Sequence, residues 1–365
     1  MGPDKTNEVN TEKRMNLLIV LSTLYLGGAQ KVACILANGL SERHNVTIAY
    51  CFDSGRVLPF SEKCSFRKLP DYNKNAGLLI KARFILKQIR ELKALKKELN
   101  IDVSVSLGNV SNLINVMSKS KDCIICSERS NPEKSWGRLY FLTKLSYRKA
   151  DHIIFQSEQV RSLFGERICR KSSILKNPIM IPALASERRA KKIVSLGRLE
   201  AQKNHSLLIR SFARFYEQFP EYSLHIFGEG KLKNGLQQLI ASLGMSDHII
   251  LEGNDPAVLE HIRDAEMFVL SSDFEGLSNA LLECMAMGIA CISTKCEGSV
   301  DVIRSGKNGL LVDIGDEGAL TRAMCALAAD PGLRQQLELQ AREDMKAFDR
   351  SVVVDDWERV IRACL

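Results

Sequence analysis

Short apolar runs and amphipathic segments alternate along the whole chain. "NLLIVLS", "NVTIAYCF", "DVSVSLG", "DCIICSE" and "HIIFQS" punctuate the first half; "KIVSLGR", "SLHIFGEG", "HIILEG", "MFVLSS", "ACISTK" and "GLLVDI" punctuate the second. Each run is too short for a helix and is bounded by polar or glycine-containing turns, which predicts strands buried on both faces. Between them, "HSLLIRSFARFYEQF" and "KLKNGLQQLIASLG" repeat apolar residues with a period near 3.6, which predicts helices. Strands alternating with helices imply an α/β chain of parallel sheets covered on both faces. The pattern occurs twice, so two Rossmann-like domains are expected. "LKNPIMIPALASERRAKK" (Leu175–Lys192), with Pro178, Pro182 and a charged cluster, has the composition of a linker. The expected domains are residues 15–180 and 181–350, with 351–365 crossing back onto the first.

Composition narrows the class. The chain has 365 residues and is 45% hydrophobic, enough for two cores. No window holds the apolar length of a membrane-spanning helix. "LLIVLSTLYL" (Leu17–Leu26) leads into the amphipathic "GGAQKVACILANGL" rather than into a small-residue cleavage site, so it is not expected to be a signal peptide. The 11 cysteines lack regular spacing, the usage of reduced thiols in a cytoplasmic protein. Cys123 and Cys126 form a C-x-x-C, but no second pair sits at a zinc-like spacing, so buried strand cysteines are expected. The net charge of +8 is uneven: Met15–Met180 holds 27 Lys and Arg against 13 Asp and Glu, whereas Ile181–Leu365 holds 21 against 27. A basic first half points to an anionic partner. No nucleic-acid motif accompanies it, so a membrane surface or a phosphorylated lipid is the expected one.

In doubly wound sheets, ligands sit where strands end and helices begin. "LYLGGAQ" places Gly27 and Gly28 at the first such turn, where glycine lets backbone approach a ligand closely. "SLGRLEAQKNH" places Arg198 and Lys203 after the first strand of the second half, a fork and a point charge suited to a diphosphate. "LEGNDPAVLEHI" supplies a polar turn at Gly253 and Asn254. In "SSDFEGLSNALLECMAMG" the apolar run ends in a loop holding Glu275, and Ser278 or Asn279 is a good helix N-cap. Glu283 then falls in the early turns of that helix. The free amides of Leu277, Ser278 and Asn279 suit an anion, and the two carboxylates suit sugar and ribose hydroxyls.

"GRLEAQKN" followed by "FEGLSNALLE" resembles the family 4 retaining glycosyltransferases of the GT-B fold, the E-x7-E group. "FGEG", "SGKNGLLV" and the Gly27–Gly28 loop match in order, most closely over Ile193–Val312. "STLYLGGAQKV" and "SERSNP" are similar to bacterial enzymes that build polyprenyl-diphosphate-linked glycans, including the GalNAc-adding enzymes of N-glycan assembly. The resemblance implies two Rossmann-like domains facing a central cleft, the second binding a nucleotide-sugar and the first the acceptor. It implies that Arg198 and Lys203 hold the donor diphosphate, that Glu275 contacts the donor sugar and Glu283 the ribose. Leu277–Asn279 would offer backbone to the phosphates, with Gly28 nearby, Gly27 toward the acceptor, and the Gly253–Asn254 turn bordering the base. Many relatives carry histidine where this chain has Arg129 in "SERSN". Arg129 cannot serve as a general base, and a phosphate or sugar contact and a structural ion pair both remain open for it. Its neighbour Glu128 is a second candidate.

The implied activity is transfer of a hexose or N-acetylhexosamine from a UDP-sugar to a lipid-linked acceptor, with retention of anomeric configuration and without a metal or cofactor. The alternatives are a UDP-sugar 2-epimerase of the same fold and a degenerate, membrane-associated scaffold. In "KARFILKQIRELKALKK" (Lys81–Lys97), seven Lys and Arg stand against one acid. At about 100° per residue, Ile85, Ile89, Leu92, Leu95 and Leu99 share one helix face. Arg83, Lys87, Arg90 and Lys97 share the other. That stripe is expected to meet anionic lipid or the acceptor diphosphate, on an enzyme peripheral to the inner face of the cell membrane.

Overall fold

The structure is a computed structural model that describes residues 13–24, 27–52, 58–71, 78–129, 144–180, 184–187 and 189–365. Tyr25, Leu26, Pro182 and residues 130–132 of "SERSNP" lie outside the described residues.

The apolar runs form strands that are buried in the middle of each sheet and more exposed toward its edges. β1 (Asn16–Thr23), β2 (Asn45–Phe52), β3 (Ser65–Lys68), β4 (Val103–Leu107), β5 (Cys123–Ser127), β6 (His152–Phe155) and β7 (Ser172–Ile174) make one parallel sheet in the order β3-β2-β1-β4-β5-β6-β7. β8 (Ala190–Leu196), β9 (Ser223–Phe227), β10 (Ile249–Gly253), β11 (Ala265–Leu270), β12 (Ala290–Thr294) and β13 (Leu310–Val312) make the second, in the order β10-β9-β8-β11-β12-β13. In each sheet the order reverses beside the first strand, β1 or β8. That reversal opens a crevice at the strands' carboxyl ends. The chain is α/β, with two Rossmann-like domains facing a central cleft.

The helices used below are α1 (Gly28–Ser41), α2 (Leu78–Glu98), α3 (Asn109–Met117), α4 (His205–Tyr216), α5 (Lys233–Ser242), α6 (Asn279–Met287), α7 (Glu317–Ala329), α8 (Pro331–Met345) and α9 (Arg350–Ala363). α9 leaves the second domain and packs on α1. Val353, Val354, Trp357 and Ile361 join the core that β1 and α1 build. Glu358 then receives both Arg43 and His44 from the end of that helix. α2 lays Leu92, Leu95, Ile85, Ile89 and Leu99 against Leu18, Val20, Ala49 and Cys51 of β1 and β2, and leaves Arg83, Lys87, Arg90 and Lys97 exposed. Lys96 departs from the cationic character of its segment. It is fully buried and paired with Asp122 at 2.8 Å, because its position turns it toward α3, where the Asn115 carbonyl also accepts from it. Among the described residues, no helix is long and apolar enough to cross a membrane.

No disulfide joins any of the cysteines. Cys123 and Cys126 sit three apart on a strand, so they face opposite sides of the sheet. They join different core clusters and cannot act as a pair.

Candidate active site

The loops at the carboxyl ends of both sheets meet around one cleft of about 850 Å³. Its second-domain wall is built by stitching two loops together. After β8 the chain makes a single tight turn at Ala201–Lys203 and enters α4 through Asn204, which adopts a left-handed conformation with φ of 43°. Asparagine tolerates that conformation and caps well. Its Oδ1 accepts from the Leu207 amide at 3.3 Å, while its Nδ2 donates to Asp273 Oδ1 at 2.8 Å, on the loop after β11. The Gln202 side chain donates to the Phe274 carbonyl at 2.9 Å and the Ser271 hydroxyl to the Lys203 carbonyl at 2.9 Å.

That stitching brings Lys203 and Glu275 together across 72 residues. Lys203 Nζ lies 2.5 Å from Glu275 Oε1, which also accepts from the Ser272 hydroxyl at 2.8 Å. The two side chains are 14% and 11% exposed. His205, next to the cap, is buried among these groups, and its pKa is pushed down to about 4 by burial and by Lys203. Arg198 is exposed at the rim, where its guanidinium reaches the Gln202 side chain at 3.5 Å.

After Glu275 the backbone is pressed between two neighbours. A Cβ on Gly276 would stand 2.7 Å from the Arg129 carbonyl, and a Cβ on Gly298 would stand 1.6 Å from the Gly276 carbonyl. Only glycine admits such approach. Ser278 then caps α6, its hydroxyl accepting from the Leu281 amide at 3.4 Å. Leu277, Ser278, Asn279 and Ala280 line the cleft, with the positive end of α6 turned toward it. Gly253, at φ of +78°, and Asn254 line its far end. Glu283 is not part of the lining. It lies behind the wall on α6, 7% exposed, with its carboxylate on Lys31 Nζ of the first domain.

The first-domain wall comprises Gly27, Gly28, Ala29, Lys31 and Arg129. Gly27 caps α1 in extended backbone, and the Gly28 carbonyl accepts from Asn279 Nδ2 at 3.2 Å. Arg129 lies at the end of β5. Its guanidinium donates to Asn177 Oδ1 at 2.7 Å and reaches the Ser127 hydroxyl at 3.5 Å. Gln156, with its amide oxygen turned toward the guanidinium, accepts from it at 3.1 and 3.3 Å. Among the described residues, no carboxylate lies within ion-pair distance, so the structural ion pair held open for Arg129 is not formed. Burial pushes its pKa down to about 9, still cationic at neutral pH. Glu128 does not line the cleft. Its carboxylate turns inward, accepting from the Tyr147 hydroxyl at 2.7 Å and from the Arg129 amide at 3.0 Å, because successive residues at a strand end point to opposite sides.

Arg198, Lys203, Glu275, Gly27, Gly28, Arg129, Gly253, Asn254 and Leu277–Asn279 therefore converge on one cleft. Arg83, Lys87, Arg90 and Lys97 lie apart from it on α2. Three residues of the site were not singled out from the sequence: Lys31, Gln156 and Asn177. Lys31 carried a signal, since a cation near the first turn of a helix opposes the dipole and so calls for a partner. Asn177 carried none. It bridges the domains through the linker, donating to Asn279 Oδ1 at 2.8 Å and to the Leu277 carbonyl at 3.3 Å.

Residues 178–344 match the family described as glycosyl transferases group 1. Two curated proteins of Campylobacter jejuni subsp. jejuni serotype O:2 are similar over nearly their whole length. One is an N-acetylgalactosamine-N,N'-diacetylbacillosaminyl-diphospho-undecaprenol 4-alpha-N-acetylgalactosaminyltransferase, 27% identical over 93% of this chain and 97% of that protein. The other is a GalNAc-alpha-(1->4)-GalNAc-alpha-(1->3)-diNAcBac-PP-undecaprenol alpha-1,4-N-acetyl-D-galactosaminyltransferase, 28% identical over 95% and 98%. Among solved structures, Anabaena Alr3699/HepE in complex with UDP and glucose superposes with a TM-score of 0.81 at 14% identity, over 96% of this chain and 100% of that one. At that identity the likeness speaks for the fold alone. With the family match over residues 178–344, the full-length relatives and the two-domain cleft taken together, the chain is a glycosyltransferase of the GT-B fold.

Proposed function

We propose that this enzyme is a retaining hexosyltransferase that moves a hexose or N-acetylhexosamine from a UDP-sugar to a lipid-diphosphate-linked saccharide, in bacterial surface-glycan or glycoprotein-glycan assembly. The observation that carries the proposal is the Lys203–Glu275 pair beside the open N-terminus of α6, facing the Gly27–Gly28 loop across the cleft. A cation, a row of amides and a carboxylate within one wall suit a diphosphate joined to a polyhydroxylated ring. The named acceptors of the C. jejuni relatives and the UDP in the HepE complex support the same substrate classes.

In this reading the diphosphate lies on the amides of Leu277–Asn279, with Arg198 and Lys203 neutralising the charge that grows on the departing UDP. Glu275 accepts from hydroxyls of the donor sugar and the Gly253–Asn254 turn borders the base; Glu283, which lies behind the wall on Lys31, would accept from the ribose once the donor displaces Lys31 from it. The bond from the anomeric carbon to the phosphate oxygen breaks as the acceptor oxygen bonds to that carbon on the same face. The acceptor proton passes to the leaving phosphate. No protein nucleophile is invoked, and the arginine and lysine charges do the neutralising, so no metal or cofactor is required. The exposed stripe Arg83, Lys87, Arg90 and Lys97 would hold the first domain against anionic lipid at the cytoplasmic membrane face, near a lipid-linked acceptor.

The test is a thermal-shift screen of UDP-sugars, followed by transfer from the best stabiliser to a synthetic lipid-diphosphate saccharide. Stabilisation by one UDP-sugar and a product of one added residue with retained configuration are expected. A donor altered without any acceptor would instead indicate epimerisation.

A further inference from the structure

We infer that Arg129 binds the donor diphosphate from the first domain, and that Asn177 holds it in place, so that the leaving group is clamped by a cation from each domain. This rests on the nucleotide-sugar reading above.

Charge matching within the cleft leads to it. Among the described residues, its lining holds the cations Lys31, Arg129, Arg198 and Lys203. Two already have carboxylates: Lys203 on Glu275 and Lys31 on Glu283. Arg129 and Arg198 have none within ion-pair distance. A nucleoside diphosphate sugar brings two negative charges, which these two arginines would balance.

Position leads the same way. Arg129 donates to Asn177 Oδ1, and Asn177 Nδ2 donates to Asn279 Oδ1 and the Leu277 carbonyl. The guanidinium is thus one asparagine side chain away from the first turn of α6, where the amides open to an anion. Its other partners, Ser127 and the Gln156 amide, are neutral. They satisfy some of its donors without cancelling its charge. The Glu128 carboxylate lies nearby but is turned inward onto Tyr147, so a guanidinium driven out of water here still gains on meeting an anion.

The consequence is a division of labour. Arg198 reaches the diphosphate from the second domain, and Arg129 reaches it from the first. Binding of the diphosphate would then draw the domains together, whereas binding of the nucleoside alone would not. Asn177 is a positioning residue in this scheme, since it acts through Arg129.

The experiment is calorimetric titration of uridine, UMP and UDP into the full chain and its Arg129→Gln, Arg129→Lys and Asn177→Ala variants. For Arg129→Gln we expect a loss of about tenfold to a hundredfold in UDP affinity, the range of one charge-assisted contact, and unchanged uridine affinity. Arg129→Lys should recover part of the loss. Asn177→Ala should lose several-fold for UDP and nothing for uridine. Retained uridine binding also shows that a variant is folded. Equal UDP affinity in Arg129→Gln and the unaltered enzyme overturns the inference while leaving the nucleotide reading intact. Equal losses for uridine and UDP would make Arg129 a brace between domains and would also overturn it. If the unaltered enzyme binds neither uridine nor UDP, the nucleotide reading itself fails, and the inference with it.

Discussion

Replacing Lys203 by alanine removes two things at once. It deletes the cation assigned to the donor diphosphate, and it strands Glu275. The second effect can be sized from the surroundings. Removing one member of a buried ion pair costs about 3–5 kcal/mol when the remaining charge is left without compensation. Glu275 keeps the Ser272 hydroxyl at 2.8 Å and is 11% exposed, so the lower end applies, about 3 kcal/mol. For a domain of this size each kcal/mol moves the melting temperature by about 2–4 °C, which puts the expected fall at about 6–12 °C. The first effect is the loss of one preorganised charge at a leaving group, a factor of about 10²–10³ in turnover. Two further variants separate them. Lys203→Met combined with Glu275→Leu replaces the pair by apolar side chains and should recover most of the stability, with turnover no better than in the single variant. Arg198→Ala, at an exposed side chain whose contact with Gln202 is at the limit of a hydrogen bond, should leave the melting temperature unchanged while turnover falls by a comparable factor. Thermal unfolding and sugar transfer, both measured well below the lowest melting temperature, decide the matter. Near-normal transfer by folded Lys203→Ala, or recovery of transfer in the double variant, would refute the assignment.

Glu283→Ala should weaken UDP by about tenfold or more, the value of a hydrogen bond to a charged group, whereas Glu275→Ala should spare UDP and depress transfer; equal losses of UDP affinity by calorimetry would show the two roles misassigned. Replacing Arg83, Lys87 and Arg90 together by glutamate should abolish sedimentation with anionic liposomes, since each cation is worth about 1 kcal/mol near a charged membrane; unchanged sedimentation would leave the stripe a solvated surface. His205 supplies a pH dependence. Its pKa falls from 6.5 to about 4 on folding, so the unfolded chain takes up the proton first. The associated stability is complete above pH 6.5 and is lost as pH falls toward 4, by up to about 3 kcal/mol. Urea midpoints should therefore drop between pH 6.5 and 5 more steeply in the unaltered enzyme than in a His205→Gln variant, and parallel slopes would count against a neutral buried imidazole.

The sequence by itself determined whatever depends on near neighbours. Apolar runs became strands because their length and branching suit a sheet buried on both faces. Ser278 became an N-cap because its hydroxyl reaches an amide three residues on. The cationic stripe of α2 emerged from helical periodicity, and the turns holding Arg198, Lys203, Glu275 and Gly27–Gly28 were legible because they follow strands. The tertiary structure alone decided which side chains meet. Lys31 finds Glu283 only because α1 of one domain faces α6 of the other. Asn177 becomes a bridge only because the linker passes between Arg129 and Asn279. Lys96 belongs by composition to the cationic segment, yet it leaves solvent for Asp122. Glu128 and Arg129 are adjacent in sequence, yet the end of β5 turns one inward and one to the cleft. The physical reason is common to all four. A local pattern dictates backbone conformation and the face a side chain occupies, whereas a charge pair or a bridging amide needs a partner whose position is set by strand order and by the docking of one domain on another.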